Sequence, residues 1–323
     1  MTPPGLTGSF WPTERQTLLL RAALCGGEES VAAWCRLGPE LDLDMLEPES
    51  TVLLPLVGRQ LAAAGLDEPL LPRLLGMRRR TWTVNQLRLD RLVPALQAVQ
   101  ATGAEPLVVQ SFELPARYYG DLGVRAVNAL HLLVRADGFD RAASRLADAG
   151  WTAGHRGRYW TSVTAEDEEC VLHRRLFDEF AAAEPGAPIG FELNGRAARA
   201  LAPVDELLDV CLRGARMGRW RSHVWLADAH TILRTAEAEL DWAELVARAT
   251  RLRATLRLRD ALRFLRSELD APIPGGVVEE LERIRVGRRD ELAHRLAAAR
   301  WPVVEAAPER AMQLLRARSL RRR

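Results

Sequence analysis

The sequence predicts an α+β fold, with a small mixed sheet flanked by N- and C-terminal helical regions. Three observations carry this reading. Two short apolar runs, Pro106–Val109 and Val127–Val134, bracket a helix-like stretch. A third run, Glu169–Phe177 (ECVLHRRLF), supplies another strand. On both sides of this segment apolar residues recur at three- and four-residue spacing, the period of a helix with one buried face. The division expected is a helical region over 1–103, an α+β core over 104–200 and a second helical region over 201–323.

Taken in order, Thr13 with Gln16 three residues later has the form of a capping box and starts a helix through Leu24. A second helix is expected over Glu29–Leu37, and a third over Ser50–Ala64 with Pro55 in its first turn. Trp82–Ala101 repeats the period through Leu89, Leu92, Leu96 and Val99, and Pro94 should kink or divide it. The Arg78-Arg79-Arg80 run reads as a solvated helix face in preference to a phosphate contact.

In the middle region, Asp137–Gly150 reads as a helix stopped by Gly150, and Trp151–Val163 as a hairpin around Gly157. This order suggests a sheet with helices packed on one side. From Pro203 onward Val204, Leu207, Leu208, Cys211, Leu212 and Ala215 form an apolar stripe, with Gly218 as its stop. Ser222–Leu233 and a helix starting at Trp242, capped by Asp241, follow. After the break Pro272–Gly276 the rest reads as helix, and the terminal Leu320–Arg323 as a solvated end.

Composition excludes several functions. Every one of the 45 basic residues is Arg, so no Schiff-base lysine, P-loop lysine or lysine nucleophile exists. The arginine bias matches GC-rich codon usage. A net charge of +2 argues against a generally basic nucleic-acid surface, so no nucleic-acid partner is expected. Cys25, Cys35, Cys170 and Cys211 form no Cys-x-x-Cys pair, and no run approaches a membrane span. The expectation is a cytoplasmic protein with reduced thiols, no membrane partner and no cofactor.

The segment Tyr118–Arg125 (YYGDLGVR) between two strands, the Leu172-His173 and Arg175-Leu176 pairs in ECVLHRRLF, and Trp225–Asp228 (WLAD) carry a further signal. Together they resemble a bacterial family of uncharacterised nucleotidyltransferase-like proteins related to the DNA polymerase beta superfamily, over roughly residues 50 to 265. The resemblance implies a Lys-Gly or Gly-Ser turn where Gln110-Ser111 stands, and an Asp-x-Asp metal motif where Ala129 and His131 stand. Val171 takes the place of a third acidic residue, Arg174 stands where Trp is usual, and Arg213 where the family often has His.

Strand alternation would aim an Asp-x-Asp pair at the same cations, which prefer carboxylate oxygens. Ala129 offers no ligand and His131 a nitrogen poorly suited to Mg²⁺, so no metal site is expected. The remnant pocket is expected to comprise Gln110, Ser111, Glu113, Arg125, Ala129, His131, Glu169 and His173. His131 is a candidate proton donor or acceptor with Glu113, Glu169 or His173 as partners. The competing reading is that both histidines are hydrogen-bonded sheet residues. Ser111 reads as a helix N-cap, whose helix end would attract an anionic ligand.

Asp228 lies on an apolar helix stripe and needs a partner, with Arg213, Arg216 or Arg219 the expected choices. The ligand-binding candidates are therefore Gln110, Ser111, Asp121, Arg125 and Asp228.

Three functions stay open on the sequence. One is a degenerate nucleotidyltransferase-fold accessory protein in a bacterial biosynthetic pathway, its pocket holding a small molecule or peptide, with a pathway protein as partner. The second is a metal-independent enzyme built on His131. The third is an active nucleotidyltransferase with displaced ligands such as Glu113, Asp121 or Glu169.

Overall fold

The computed structural model describes residues 11–37, 41–177, 184–214 and 223–298. The expected stop at Gly218, the candidate partners Arg216 and Arg219, and the terminal arginines lie outside the described residues. The N-terminal helices are α1 (Glu14–Leu24), α2 (Gly27–Leu37), α3 (Pro48–Thr51), α4 (Leu54–Ala63) and α5 (Leu71–Gln100). The capping box at Thr13 forms as expected. Gln16 N–H donates to Thr13 Oγ1, and Thr13 N–H donates back to Gln16 Oε1. Pro55 sits in the first turn of α4, where its missing N–H costs no helical bond.

Helix α5 departs from expectation. It begins eleven residues before Trp82 and runs through Pro94 as one element of 30 residues. At 1.5 Å per residue it is about 45 Å long. Leu92, Val93, Ala95 and Leu96 around Pro94 are all buried, so packing offsets the one lost hydrogen bond.

The sheet strands are β1 (Leu107–Val108), β2 (Ala129–Leu133), β3 (Thr152–Arg156), β4 (Trp160–Ala165), β5 (Glu168–His173), β6 (Ile189–Leu193) and β7 (Arg196–Ala200). Their spatial order is β3-β4-β5-β2-β1-β7-β6. β2 runs parallel to β5 and antiparallel to β1, so the sheet is mixed. Helix α6 (Ala136–Asp148) connects β2 back to β3. The β6–β7 hairpin was not anticipated, although Asn194-Gly195 is a strong turn signal. Both residues take left-handed backbone (φ 51° and 71°), as a two-residue type I′ turn requires.

The C-terminal helices are α7 (Pro203–Gly214), α8 (Val224–Thr235), α9 (Trp242–Arg251), α10 (Thr255–Leu269), α11 (Gly275–Arg283) and α12 (Arg288–Ala298). Asp241 caps α9 by accepting the Glu244 N–H.

Helices cover both faces of the sheet, not one as expected. Leu130, Leu132, Cys170 and Leu172 on one face join Leu89, Leu92, Leu96 and Val99 of α5 and Phe139, Ala142 and Leu146 of α6 in a single apolar cluster. Leu107, Val109 and Leu133 on the other face join a second cluster, built from α1, α2 and α4 together with α7 to α11. The two terminal helical regions thus share one core, and only the long α5 reaches across to the far face of the sheet.

Asn85 of α5 ties down the loop after the helical turn at Tyr119. Its Nδ2 donates to the carbonyls of Leu122 and Arg125 at 2.7 and 2.8 Å, and its Oδ1 accepts the Val127 N–H at 3.1 Å. Asn85→Leu would leave three backbone groups without partners, and is expected to cost about 2–4 kcal/mol in denaturant unfolding.

Candidate functional site

β1 delivers the chain to Gln110, whose backbone is left-handed (φ 62°), an unfavourable conformation for a residue with a Cβ. The next residues fold back on themselves. Glu113 accepts the Ser111 N–H with both oxygens, at 3.0 and 2.9 Å, and the Ser111 hydroxyl lies 3.2 Å from Oε2. Ser111 is therefore not a helix cap. The following π-helical turn, Leu114–Tyr119, starts after Glu113. Burial raises the Glu113 pKa, while the Ser111 N–H bonds work against that rise. Its carboxylate is occupied in holding the turn.

The π-helical turn ends at Gly120 in left-handed backbone, and it places Tyr119 and Arg125 beside α8. Arg125 grips Asp228 through Nε–Oδ1 at 3.1 Å and Nη2–Oδ2 at 3.0 Å, and the Tyr119 hydroxyl donates to Oδ1 at 2.9 Å. Asp228 thus finds Arg125, 103 positions away in sequence, and not Arg213. Arg213 turns back to Asp209 on its own helix. Burial works against the charge on Arg125, but Asp228 outweighs it and raises the Arg125 pKa.

Asp121 is likewise committed. It accepts from Arg78 Nε at 2.7 Å and from the Gly123 N–H at 2.7 Å. Arg79 and Arg80 are exposed, so the arginine run is a largely solvated helix face with Arg78 as its anchor.

On β2 and β5 the parallel register sets His131 beside Val171, Ala129 beside Glu169 and Leu133 beside His173. Alternation puts all six on one sheet face. His131 Nδ1 and His173 Nε2 are 2.9 Å apart, with the rings nearly parallel. Loss of hydration on burial, then the neighbouring His173, Arg213 and Arg125, pushes the His131 pKa down to about 3. His131 is a neutral imidazole at physiological pH. Glu169 is partly exposed, and its side chain makes no hydrogen bond or ion pair with the described residues. Its neighbour Glu168 is the buried one, held by Arg88 and Arg91 on the opposite face.

Helix α7 adds two residues that were not anticipated. Glu206, Asp209 and Arg213 share one stripe by three- and four-residue spacing, a pattern visible in the sequence but overshadowed by the apolar stripe beside it. Gln110 Nε2 lies 3.5 Å from Asp209 Oδ1. Glu206 is fully buried, neither of its oxygens has a hydrogen-bond partner, and Arg117 Nη1 is 3.6 Å away. Burial first, then the charges of Glu113 and Asp209, raises its pKa well above the ordinary carboxylate value, despite Arg117.

The donor set does not fit a divalent cation. Ala129 and Val171 carry no ligand atom, and His131 Nδ1 is bonded to His173. Among the described residues, no group of three His, Cys, Asp or Glu side chains is placed to hold a metal ion. The four cysteines are free thiols, and no described helix is long and apolar enough to cross a membrane.

Comparison with known proteins adds family membership. No curated protein matches the chain. Among solved structures, a solution structure of the antibiotic-resistance factor ANT(2'')-Ia is 16% identical, covering 55% of this chain and 96% of that one, with a TM-score of 0.41. A crystal structure of ANT(2'')-Ia with adenylyl-2''-tobramycin is 12% identical, with 55% and 99% covered and a TM-score of 0.40. An antigenic nucleotidyltransferase-like protein from Paracoccidioides brasiliensis is 15% identical, with 63% and 96% covered and a TM-score of 0.38. Residues 49–270, more than half of the chain, match the sequence model of a family described as uncharacterised nucleotidyltransferase. The chain belongs to this uncharacterised nucleotidyltransferase family.

Proposed function

We propose that this protein is a degenerate member of its family. In this reading it acts as a ligand- or partner-binding accessory protein in a bacterial biosynthetic pathway, and not as a nucleotidyl transferase. The observation that carries the reading is the His131–His173 pair. Two mutually bonded imidazoles and an alanine stand on the strand face where nucleotidyl transfer needs carboxylates to hold cations. The other acids around the turn hold the protein together instead, with Glu113 on Ser111, Asp121 on Arg78 and Asp228 on Arg125.

The test is incubation of purified protein with each α-labelled nucleoside triphosphate, with Mg²⁺ or Mn²⁺, alongside calorimetric titration with and without metal. No labelled product and no metal-dependent heat are expected. Metal-dependent transfer by the wild-type protein would overturn the reading in favour of displaced ligands.

The metal-independent enzyme reading is narrowed by the same pair. A neutral His131 can relay a proton only by exchanging it with His173, because its own protonated form is disfavoured. His131 is expected to show one neutral tautomer from pH 5 to 8 by ¹⁵N NMR, on the order of the range an unperturbed histidine would titrate across. Titration of His131 near the ordinary histidine value would restore it as a proton donor.

A further inference from the structure

β3 closes one end of the sheet, and its outer edge pairs with no strand among the described residues. All five of its residues, Thr152–Arg156, are exposed. Such an edge presents main-chain N–H and C=O groups to solvent, a template on which another strand can add.

Three arginines gather at the turn end of this edge, while Glu166 and Asp167 are exposed beside its start at Thr152. Arg156 ends β3, Arg158 lies in the turn to β4, and Arg175 follows β5. The Arg158 and Arg175 guanidiniums both lie against the Tyr159 ring, 5.2 and 4.4 Å from its centroid. None of the three pairs with a carboxylate among the described residues. Their neighbour Arg174, in contrast, is neutralised by Asp140 and rests on the Phe139 ring. Two guanidiniums around one ring repel each other, and a carboxylate between them would relieve that repulsion.

We propose that β3 is a docking edge for an acidic, extended peptide segment of a partner protein. The segment adds as a strand to β3, and its carboxylates meet Arg156, Arg158 and Arg175. Main-chain bonds supply the affinity and charge-assisted guanidinium–carboxylate bonds the selectivity. A second copy of this chain paired antiparallel about Gly154 would set Arg156 opposite Thr152, and β3 carries no carboxylate for its guanidinium to meet. The bulge between Ala153 and Arg156 limits the added ladder to a short segment, whichever strand pairs with β3. A nucleic acid would meet the arginines but has no strand backbone to continue the ladder. The inference stands independently of the function proposed above.

The experiment is fluorescence anisotropy of the full chain with a labelled peptide of alternating Glu and Val, about eight residues long, the length of an ordinary strand. Two probes accompany it: the same peptide N-methylated at alternate backbone nitrogens, and an oligothymidylate of equal charge. The acidic peptide is expected to bind, and the R156E/R158E/R175E variant to weaken it roughly tenfold or more. Circular dichroism and Tm of that variant should match wild type; if they do not, the triple alanine variant replaces it. N-methylation is expected to weaken binding to the wild-type protein similarly. Equal binding of the N-methylated peptide would reduce the edge to a charged patch and overturn strand addition. Tighter binding of the oligothymidylate would assign the patch to nucleic acid, and no binding of the acidic peptide at millimolar concentration would end the proposal.

Discussion

Asp228→Ala is expected to destabilise the protein by about 3–5 kcal/mol, read as a fall in the urea midpoint at constant slope. The side chain of Asp228 is almost fully buried and that of Arg125 nearly so, at 4% and 12% exposure, and the two share a bidentate contact. Removing one partner leaves a guanidinium without its counter-charge and the Tyr119 hydroxyl without its acceptor. Asp228→Asn should cost nearly as much, because the amide keeps the shape and loses the charge. The double variant Arg125→Met/Asp228→Leu tests the cause. It removes both charges, so it should recover much of the loss, with a coupling of about 1–3 kcal/mol in a double-mutant cycle. A pair that merely held a ligand would show additive effects on stability. Full additivity would therefore return Asp228 to the ligand-binding role.

Glu206→Gln should act in the opposite direction and stabilise the protein by about 1–3 kcal/mol at pH 8. Glu206 lies fully buried near Glu113 and Asp209, and both of its oxygens lack hydrogen-bond partners. Its folded-state pKa is raised, so between the ordinary value of 4.5 and the raised value the folded state holds a proton that the unfolded state has released. Stability then falls as pH rises through that window, by at most about 1.4 kcal/mol per pH unit for one group. Below the window both states are protonated and Glu206 contributes nothing. The variant should flatten the decline of Tm from mildly acidic to mildly alkaline pH, leaving a residue from Glu113, whose pKa is shifted the same way. An unchanged pH profile would mean that Arg117 keeps Glu206 ionised.

Local chemistry was legible where it acts between neighbours in the chain. The Thr13 capping box, the Asp241 cap, the turn at Gly157 and the strands around His131 and His173 depend on residues within a few positions of one another. The sequence showed them directly. Family membership was legible for a related reason. Ordered short motifs spanning roughly residues 50 to 265 foretold a match that runs from 49 to 270. The Asn194-Gly195 hairpin was equally local and was passed over.

By itself, then, the sequence determined the α+β class and the absence of carboxylates at positions 129, 131 and 171, while the pairing of β2 with β5 that brings His131 to His173 came from the fold. Only the tertiary structure decided which charge meets which. Spacing along a helix offered Arg213 to Asp228, but the fold gave Arg213 to Asp209 and brought Arg125 across to Asp228. It also made Glu206 a buried acid and helix α5 a strut through Pro94, since burial depends on what packs from elsewhere. The physical reason is common to all three. The cost of a buried charge or a lost backbone bond is set by groups far away in the chain, and their positions exist only once the chain has folded.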